Sequence, residues 1–300
     1  MALYELFPTE EACIKHLEAI NWQGKPVSPF DKTSKVYKLG NGQYRCKNTG
    51  RNFNVRTLTM FAQTRVSLRK WFTAIWIVTN HKIGLSSYQL ASDIGVTQKT
   101  AWHMLHKIRH AMRLANENFL EEAVEIDETL VGGRNGNRHW DKKVPHSQGR
   151  SHKDKAPVVG MIQRENLMNA RVTPDTKAST LSAFIREFVH PDAIIYTDEN
   201  DAYNQIGRSY ERYYVDHSKK LYSYDSITTN RIEGAWTHFK RMVKGTYRTL
   251  LKKYLQKYVD EFVYRFNLRD ISNSDRFNCF LCCADTRYTY KQIRESVCLK

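Results

Sequence analysis

Apolar positions follow two rhythms along this 300-residue chain, and the rhythm changes near Asn118. Before that point it is mostly helical. Pro8, Thr9, Glu10 and Glu11 open a helix running to about Ile20, with Thr9 as N-cap and acids in the first turn. The next stretch, NWQGKPVSPFDKTSKVYKLGNGQYRCKNTGRNFNVRT, sets short apolar-aromatic runs among Gly, Asn, Pro and Thr, the pattern of turns and small strands. From Ser67, Leu68, Trp71, Phe72, Ile75, Trp76 and Val78 recur with helical period, and Gly84, Leu85 and Ser86 break the run. SSYQLASDIGVTQKTAWHMLHKIRHAM then reads as two short helices around Gly95. Leu90, Ala91, Ile94, Val96, Ala101, Trp102, Leu105 and Ile108 form the joint between them, and Thr97 caps the second. The expectation is a helix-turn-helix.

After Asn118 the runs shorten to strand length. FLEEAVEIDETLVGG and APVVGMIQR predict strands, LMNARVTPD a hairpin partner, TKASTLSAFIREFV an amphipathic helix and AIIYTDE a further strand. Strands, a helix and a strand without polar alternation predict a mixed α/β sheet. From Thr229, Ile232, Ala235, Trp236, Phe239, Met242 and Val243 form the apolar stripe of a helix. Glu233 lies beside that stripe, and Thr237, Lys240 and Lys244 share its side because i+4, i+7 and i+11 stack along one face. LLKKYLQKYVDEFVYRFNLR predicts a closing helix. The expected divisions are a small β module with its helix at 1–57, a helical domain at 58–118, an α/β domain at 119–270 and a tail at 271–300.

Composition narrows the partners. A 41% apolar content supports a sizeable core, and a formal charge of +16, from 47 basic and 31 acidic residues, points to a polyanion, with nucleic acid the leading candidate. No segment approaches the roughly 18 apolar residues needed to span a bilayer, and the N-terminus lacks a signal-peptide layout, so an intracellular location without a membrane is expected. The six cysteines are too unevenly spread for a disulfide framework. Cys279, Cys282 and Cys283, among Phe277, Phe280 and Leu281, are read as part of a buried apolar segment.

Against a basic background, the second helix of the pair would turn Gln98, Lys99, Thr100, His103, Lys107 and Arg109 outward, toward base edges and phosphates. A helical hairpin with a solvated polar face gives the same pattern, and the charge tips the reading to DNA. RNGNRHWDKKVPHSQGRSHKDK is either a loop that meets a polyanion or a solvated insertion. The acids carry the chemistry. Asp127 and Asp198 sit at strand ends and Glu233 on a later helix, and carboxylates bracketed by apolar residues need a cation or strong hydrogen bonds. Hard oxygens without His or Cys at ligand spacing suit Mg²⁺ or Mn²⁺ better than zinc. Two such ions about 3.5–4 Å apart serve in-line attack on a phosphodiester, which suggests a nuclease or strand transferase. Glu128 and Glu199 compete with their neighbours Asp127 and Asp198, and alternation allows one of each pair to point into a site.

In SLRKWFTAIWIV, SSYQLASDIGVTQKTAWHMLHKIR, VEIDETLVGGR, IIYTDENDAY, TTNRIEGAWTHFKRMVKGTYR and YLQKYVDEFVYRFN, in that order, the chain resembles the DDE transposases of the IS1595 insertion-sequence group with their ISXO2-like catalytic domain. The resemblance, from about Leu58 to Arg269, implies an RNase H-like fold with Asp127, Asp198 and Glu233 as a catalytic triad holding two Mg²⁺ or Mn²⁺ ions. It also implies that Lys240 touches DNA near the reacting phosphate. The step from Asp198 to Glu233 (233 minus 198) is 35 residues, familiar among such enzymes. Implied partners are double-stranded DNA, as the element's terminal inverted repeats and its target, and further copies of the chain, as a homodimer or larger assembly. A bacterial, nucleoid-associated cytoplasmic setting follows. Relatives begin with a zinc ribbon of two CxxC pairs; here SPFDKTSKVY and YRCKNTGRNF retain only Cys46, so a zinc-free remnant is expected. The competing expectation is a catalytically silent, domesticated DNA-binding regulator of the same fold.

Overall fold

Two units emerge in the computed structural model, which describes residues 3–116, 118–133, 139–145, 155–164, 167–215 and 228–295. One unit comprises Met1–Leu114 with Ile271–Glu295, the other Ala115–Asp270.

In the first, a short helix α1 (Leu3–Leu6) precedes α2 (Glu10–Trp22). The Thr9 hydroxyl caps α2 by accepting the Ala12 N–H at 3.2 Å, which satisfies one of the amides that a helix start leaves unpaired. Strands β1 (Val36–Lys38), β2 (Tyr44–Cys46) and β3 (Asn52–Phe53) form an antiparallel sheet around Tyr44, Cys46 and Phe53. Hydrogen bonds tie its loops together. Ser28 Oγ accepts from the amides of Phe30 at 3.2 Å and Asp31 at 3.3 Å, and Asp31 in turn accepts from Asn48 Nδ2 at 2.8 Å. Burial raises the Cys46 thiol pKa, but the hydroxyls of Ser28, Ser34 and Thr49 and a backbone hydrogen bond at Thr49 outweigh burial and bring it to about 6.

Helix α3 (Leu68–Asn80) buries Leu68, Trp71, Phe72, Ile75 and Val78, as its period predicts. Helices α4 (Ser87–Ile94) and α5 (Gln98–Leu114) follow. Gly95 closes α4 at φ +61°, a left-handed backbone that glycine adopts without a Cβ penalty. Thr97 Oγ1 accepts the Thr100 amide at 3.2 Å and starts α5. At 17 residues α5 is longer than the short helix expected.

The second unit is α/β, a mixed sheet flanked by helices. Its strands are β4 (Ala123–Val131), β5 (Ala156–Gln163), β6 (Met168–Val172), β7 (Ile194–Asp198) and β8 (Arg212–Val215), in the order β6-β5-β4-β7-β8. β5 runs antiparallel to β4 and β6, whereas β7 is parallel to both β4 and β8. Helix α6 (Ala178–Phe188) brings Leu181, Phe184 and Ile185 against Val124, Ile126, Met161 and Ile195 on one face. On the other, Ile232, Trp236 and Phe239 of α7 (Asn230–Met242) and Val259 and Phe262 of α8 (Leu255–Asn267) meet Val158 and Ile162. Between α7 and α8, Val243–Tyr247 winds into a π-helical turn, and the Tyr247 hydroxyl holds it by donating to Glu261 of α8 at 2.8 Å.

The segment expected as a tail forms α9 (Asn273–Cys282) and α10 (Tyr290–Arg294) and belongs to the first unit. Phe277 is buried, with ring centroids 5.4 Å from Phe72 and 5.7 Å from Trp76. The cysteines depart from expectation: Phe277, Phe280 and Leu281 face the core while Cys279 and Cys282 are exposed on the outer side of α9. Among the described residues no helix is long and apolar enough to cross a membrane. Most of the basic loop expected between β4 and β5 lies outside the described residues, as does the segment between β8 and α7.

Candidate active site

Strand register brings the first two acids together. β4 pairs with β7 over Ala123↔Ile194, Val124↔Ile195 and Glu125↔Tyr196, where the ladder stops. Extending that register by two residues matches Asp127 with Asp198, and the charge of Asp198 does act on Asp127. Asp127 is therefore not at the end of its strand, since β4 continues to Val131 against β5. It stands where β4 and β7 have ceased to pair.

Alternation separates Asp127 from Glu128. Glu125 and Asp127 share the face toward α7, while Glu128 follows Val124 and Ile126 to the α6 face. There Glu128 accepts hydrogen bonds from Asn200 Nδ2 at 2.8 Å and from the hydroxyl of Tyr203. The Asn200 amide also donates to Asp198 Oδ1 at 3.1 Å, so one asparagine links both carboxylates. Arg212 of β8 donates to the Asp198 carbonyl at 3.0 Å, to Thr197 Oγ1 at 2.9 Å and to Asn204 Oδ1 at 2.8 Å, fixing the turn after β7. Glu199 and Asp201 are exposed, and Asp201 opens a 3₁₀ turn capped by Asn200.

Glu233 stands in the first turn of α7, exposed, and accepts a hydrogen bond from Thr229 Oγ1 at 3.0 Å. The helix lies close to the sheet because Asp127 pairs across β4 and β5 with Gly160. A Cβ on Gly160 would come within 2.7 Å of Cη2 of Trp236. Beneath the start of α7, Glu125 is only 1% exposed and its Oε2 accepts the amides of Arg231 at 3.0 Å and Ile232 at 3.2 Å. Burial pushes the Glu125 carboxyl above its ordinary range, against the pull of those two amides.

Electrostatically the acids form one group. Burial, followed by the negative charges of Glu128, Asp198 and Glu233, pushes Asp127 up to about 7. Burial also raises Glu128, with Asp198 adding to the shift and Tyr203 and Asn200 opposing it. Among the described residues, however, no three His, Cys, Asp or Glu side chains are gathered closely enough to hold an ion. The set offers only carboxylate oxygens, and the like charges around Asp127 are of the kind that a hard divalent cation would offset.

The basic candidates divide. Lys240 is exposed on α7, on the side of Glu233, as the period predicts. Lys244 is exposed too, but in the π-helical turn, where the 3.6-residue stacking that linked it to Glu233 no longer holds. On α5, Lys99 is exposed, Gln98 is half-buried with Nε2 donating to Ser87 Oγ at 2.8 Å, and Thr100 is half-buried beside Thr97. His103 is half-buried, its ring 5.7 Å from that of Tyr290. The outward placement of Lys107 is corrected: it is 6% exposed, and its Nζ donates to the Met60 carbonyl at 2.8 Å. Arg109 is buried as well. Packing on α5 by other parts of the first unit, including the ring of Tyr288 stacked on His110 at 3.8 Å, covers a face that the sequence left open.

Sequence reasoning assigned no role to Glu125, Asn200, Tyr203 or Arg212. For Glu125 a signal existed, since alternation puts it on the Asp127 face of a buried strand. For the others, the contacts depend on a turn and an edge strand that carry no periodic pattern.

Comparison with known proteins gives a family match and two curated relatives. The family described as the ISXO2-like transposase domain matches residues 119–267. An uncharacterized transposase-like protein of Haemophilus influenzae is 30% identical over 103 residues, which cover 34% of this chain and 82% of that protein. An uncharacterized protein in transposable element ISH50 of Halobacterium salinarum is 26% identical over 275 residues, 86% of this chain and 91% of the other. Among solved structures, the Mos1 strand transfer complex aligns over 73% of this chain and 78% of its own at 11% identity, with a TM-score of 0.29. The Mos1 paired-end complex with left transposon end aligns over 72% and 80% at the same identity and TM-score, 11% and 0.29. A TM-score that low does not establish a shared fold.

Proposed function

The chain belongs to the ISXO2-like transposase family, and on that premise we propose that it is a DDE-type transposase that binds the ends of its insertion sequence and carries out metal-dependent DNA cleavage and strand transfer. The observation that carries this reading is that the charges of Asp198 and Glu233 both act on the half-buried Asp127, which stands just past the end of the β4–β7 ladder. In this reading residues 119–270 are an RNase H-like catalytic domain, and Asp127, Asp198 and Glu233 hold two Mg²⁺ or Mn²⁺ ions. A bound pair of such ions supplies activation of a water or 3′-hydroxyl and stabilisation of the leaving oxygen.

The chain's own residues then have separate tasks. Asn200 and Arg212 hold the Asp198 turn in place, and Glu128 anchors that turn from the opposite face of the sheet. Lys240 and Lys244 meet phosphates of the bound DNA, their charge releasing counterions from the duplex. Residues 58–118 act as the helix-turn-helix domain, with Gln98, Lys99, Thr100 and His103 at its DNA-facing end. Residues 1–57 are a zinc-ribbon-like module joined by hydrogen bonds. Two element ends must be joined to one target, so the active form is a dimer or larger assembly on DNA.

The test incubates the protein with a labelled duplex carrying the element's end and a supercoiled target plasmid, in Mg²⁺, Mn²⁺ or EDTA. Joined product is expected from wild type with metal, and none from Asp127→Ala, Asp198→Ala or Glu233→Ala, with end binding retained. End binding by all proteins alike, without metal-dependent product, would instead support a DNA-binding regulator.

A further inference from the structure

We propose that Glu125 is a positioning residue, whose buried carboxylate anchors the first turn of α7 and so sets Glu233 relative to Asp127 and Asp198. This rests on the strand-transfer reading above and adds a residue to the same site. A helix start leaves four amides without intrahelical partners, and a side chain at the N-cap usually takes one. On α7 the N-cap Thr229 makes no such bond to the backbone; its hydroxyl donates to Glu233 instead. The amides of Arg231 and Ile232 go to Glu125 Oε2, an acceptor 106 and 107 positions away in sequence. A carboxylate at the positive end of a helix is favoured by the helix dipole, which offsets part of the cost of burying it.

The geometry links three elements. Glu125 and Asp127 lie two residues apart on one face of β4, a spacing of about 7 Å fixed by an extended backbone. Glu233 lies one and two residues beyond the amides that Glu125 holds. One strand thus carries an acid of the site and the fixed point for the helix bearing another. A second fixed point keeps the helix from pivoting, because Trp236 fills the space over Gly160, the residue paired with Asp127. Glu125 Oε1 is buried and accepts no hydrogen bond from the described residues, so the anchoring oxygen is Oε2 alone.

Full-length Glu125→Ala and Glu125→Gln would be compared with wild type in three measurements. These are hydrogen exchange across residues 229–243, end binding, and joining rate against Mn²⁺ concentration. A glutamine oxygen still accepts both amides, so Glu125→Gln should keep the exchange protection of α7 and most of the joining rate. Glu125→Ala should lose that protection, join about 10²-fold more slowly as expected for a misplaced reacting group, require more Mn²⁺ for half-maximal rate, and bind ends normally.

Unchanged protection and rate in Glu125→Ala would overturn the proposal. So would a protected Glu125→Gln that joins no faster than a folded Glu125→Ala, since the charge rather than the anchor would then be at work. If Glu125→Ala does not fold, Glu125→Gln decides alone: protection with near-wild-type joining supports the anchor, protection without joining overturns it. Absence of joining by wild type itself would defeat the strand-transfer reading, while the exchange measurement would still decide whether Glu125 anchors α7.

Discussion

Helix α5 buries Lys107 and Arg109, whereas α7 leaves Lys240 and Arg241 exposed, although both helices show an apolar stripe beside a row of basic residues. Period alone assigns residues to faces, and on α7 that assignment carries through: Ile232, Trp236 and Phe239 go inward and Thr237 and Lys240 outward. On α5 the same logic fails from the third turn, because the face is covered by residues such as Met60 and Tyr288, which are remote in sequence from it. A basic residue on an amphipathic helix is thus a DNA-contact candidate only after the rest of the chain has been packed.

Three substitutions sharpen the contrast, from the largest effect to the smallest. Phe277→Ala removes a buried ring from the segment expected as a tail and should lower unfolding free energy by about 3–5 kcal/mol in denaturant titration. A loss below about 1 kcal/mol would show that this segment does not pack as described. Lys107→Met keeps most of the side chain but leaves the Met60 carbonyl without its donor, for a loss of about 1–3 kcal/mol and no change in the salt dependence of DNA binding. A weakened salt dependence would return Lys107 to the DNA face. Lys240→Ala should leave stability within about 0.5 kcal/mol and reduce the salt slope of DNA binding by about one. An unaltered slope would remove Lys240 from the interface.

Much of the second unit was legible in sequence. β4, β5, β6 and β7, the helices between and after them, and the strand origin of Asp127 and Asp198 all follow from runs of apolar residues with the right period. β8 was not. Its four residues, Arg212–Val215, form an edge strand whose place is set by parallel pairing with β7, and RYYV flanked by charged residues has no alternation to announce it. Alternation says that Asp127 and Glu128 part, and the structure adds the partners Asn200 and Tyr203 that tie Glu128 to the α6 face. The π-helical turn at Val243–Tyr247 was likewise invisible, since the anchor between Tyr247 and Glu261 that holds it lies across two helices. In the first unit, Thr9 and Thr97 cap their helices as the sequence predicts, because capping is local chemistry.

The contact between Gly160 and Trp236 has a consequence for how such a chain can drift. The indole fills the volume that any Cβ at position 160 would need, so position 160 cannot gain a side chain while the ring stays. A lineage acquiring alanine at 160 must first shrink the ring at 236, and one that loses the ring leaves a void over β5 that a larger residue at 160 can fill. The two positions should therefore vary as a pair across descendants of this sequence, while Arg241, exposed on the same helix, is free of that constraint.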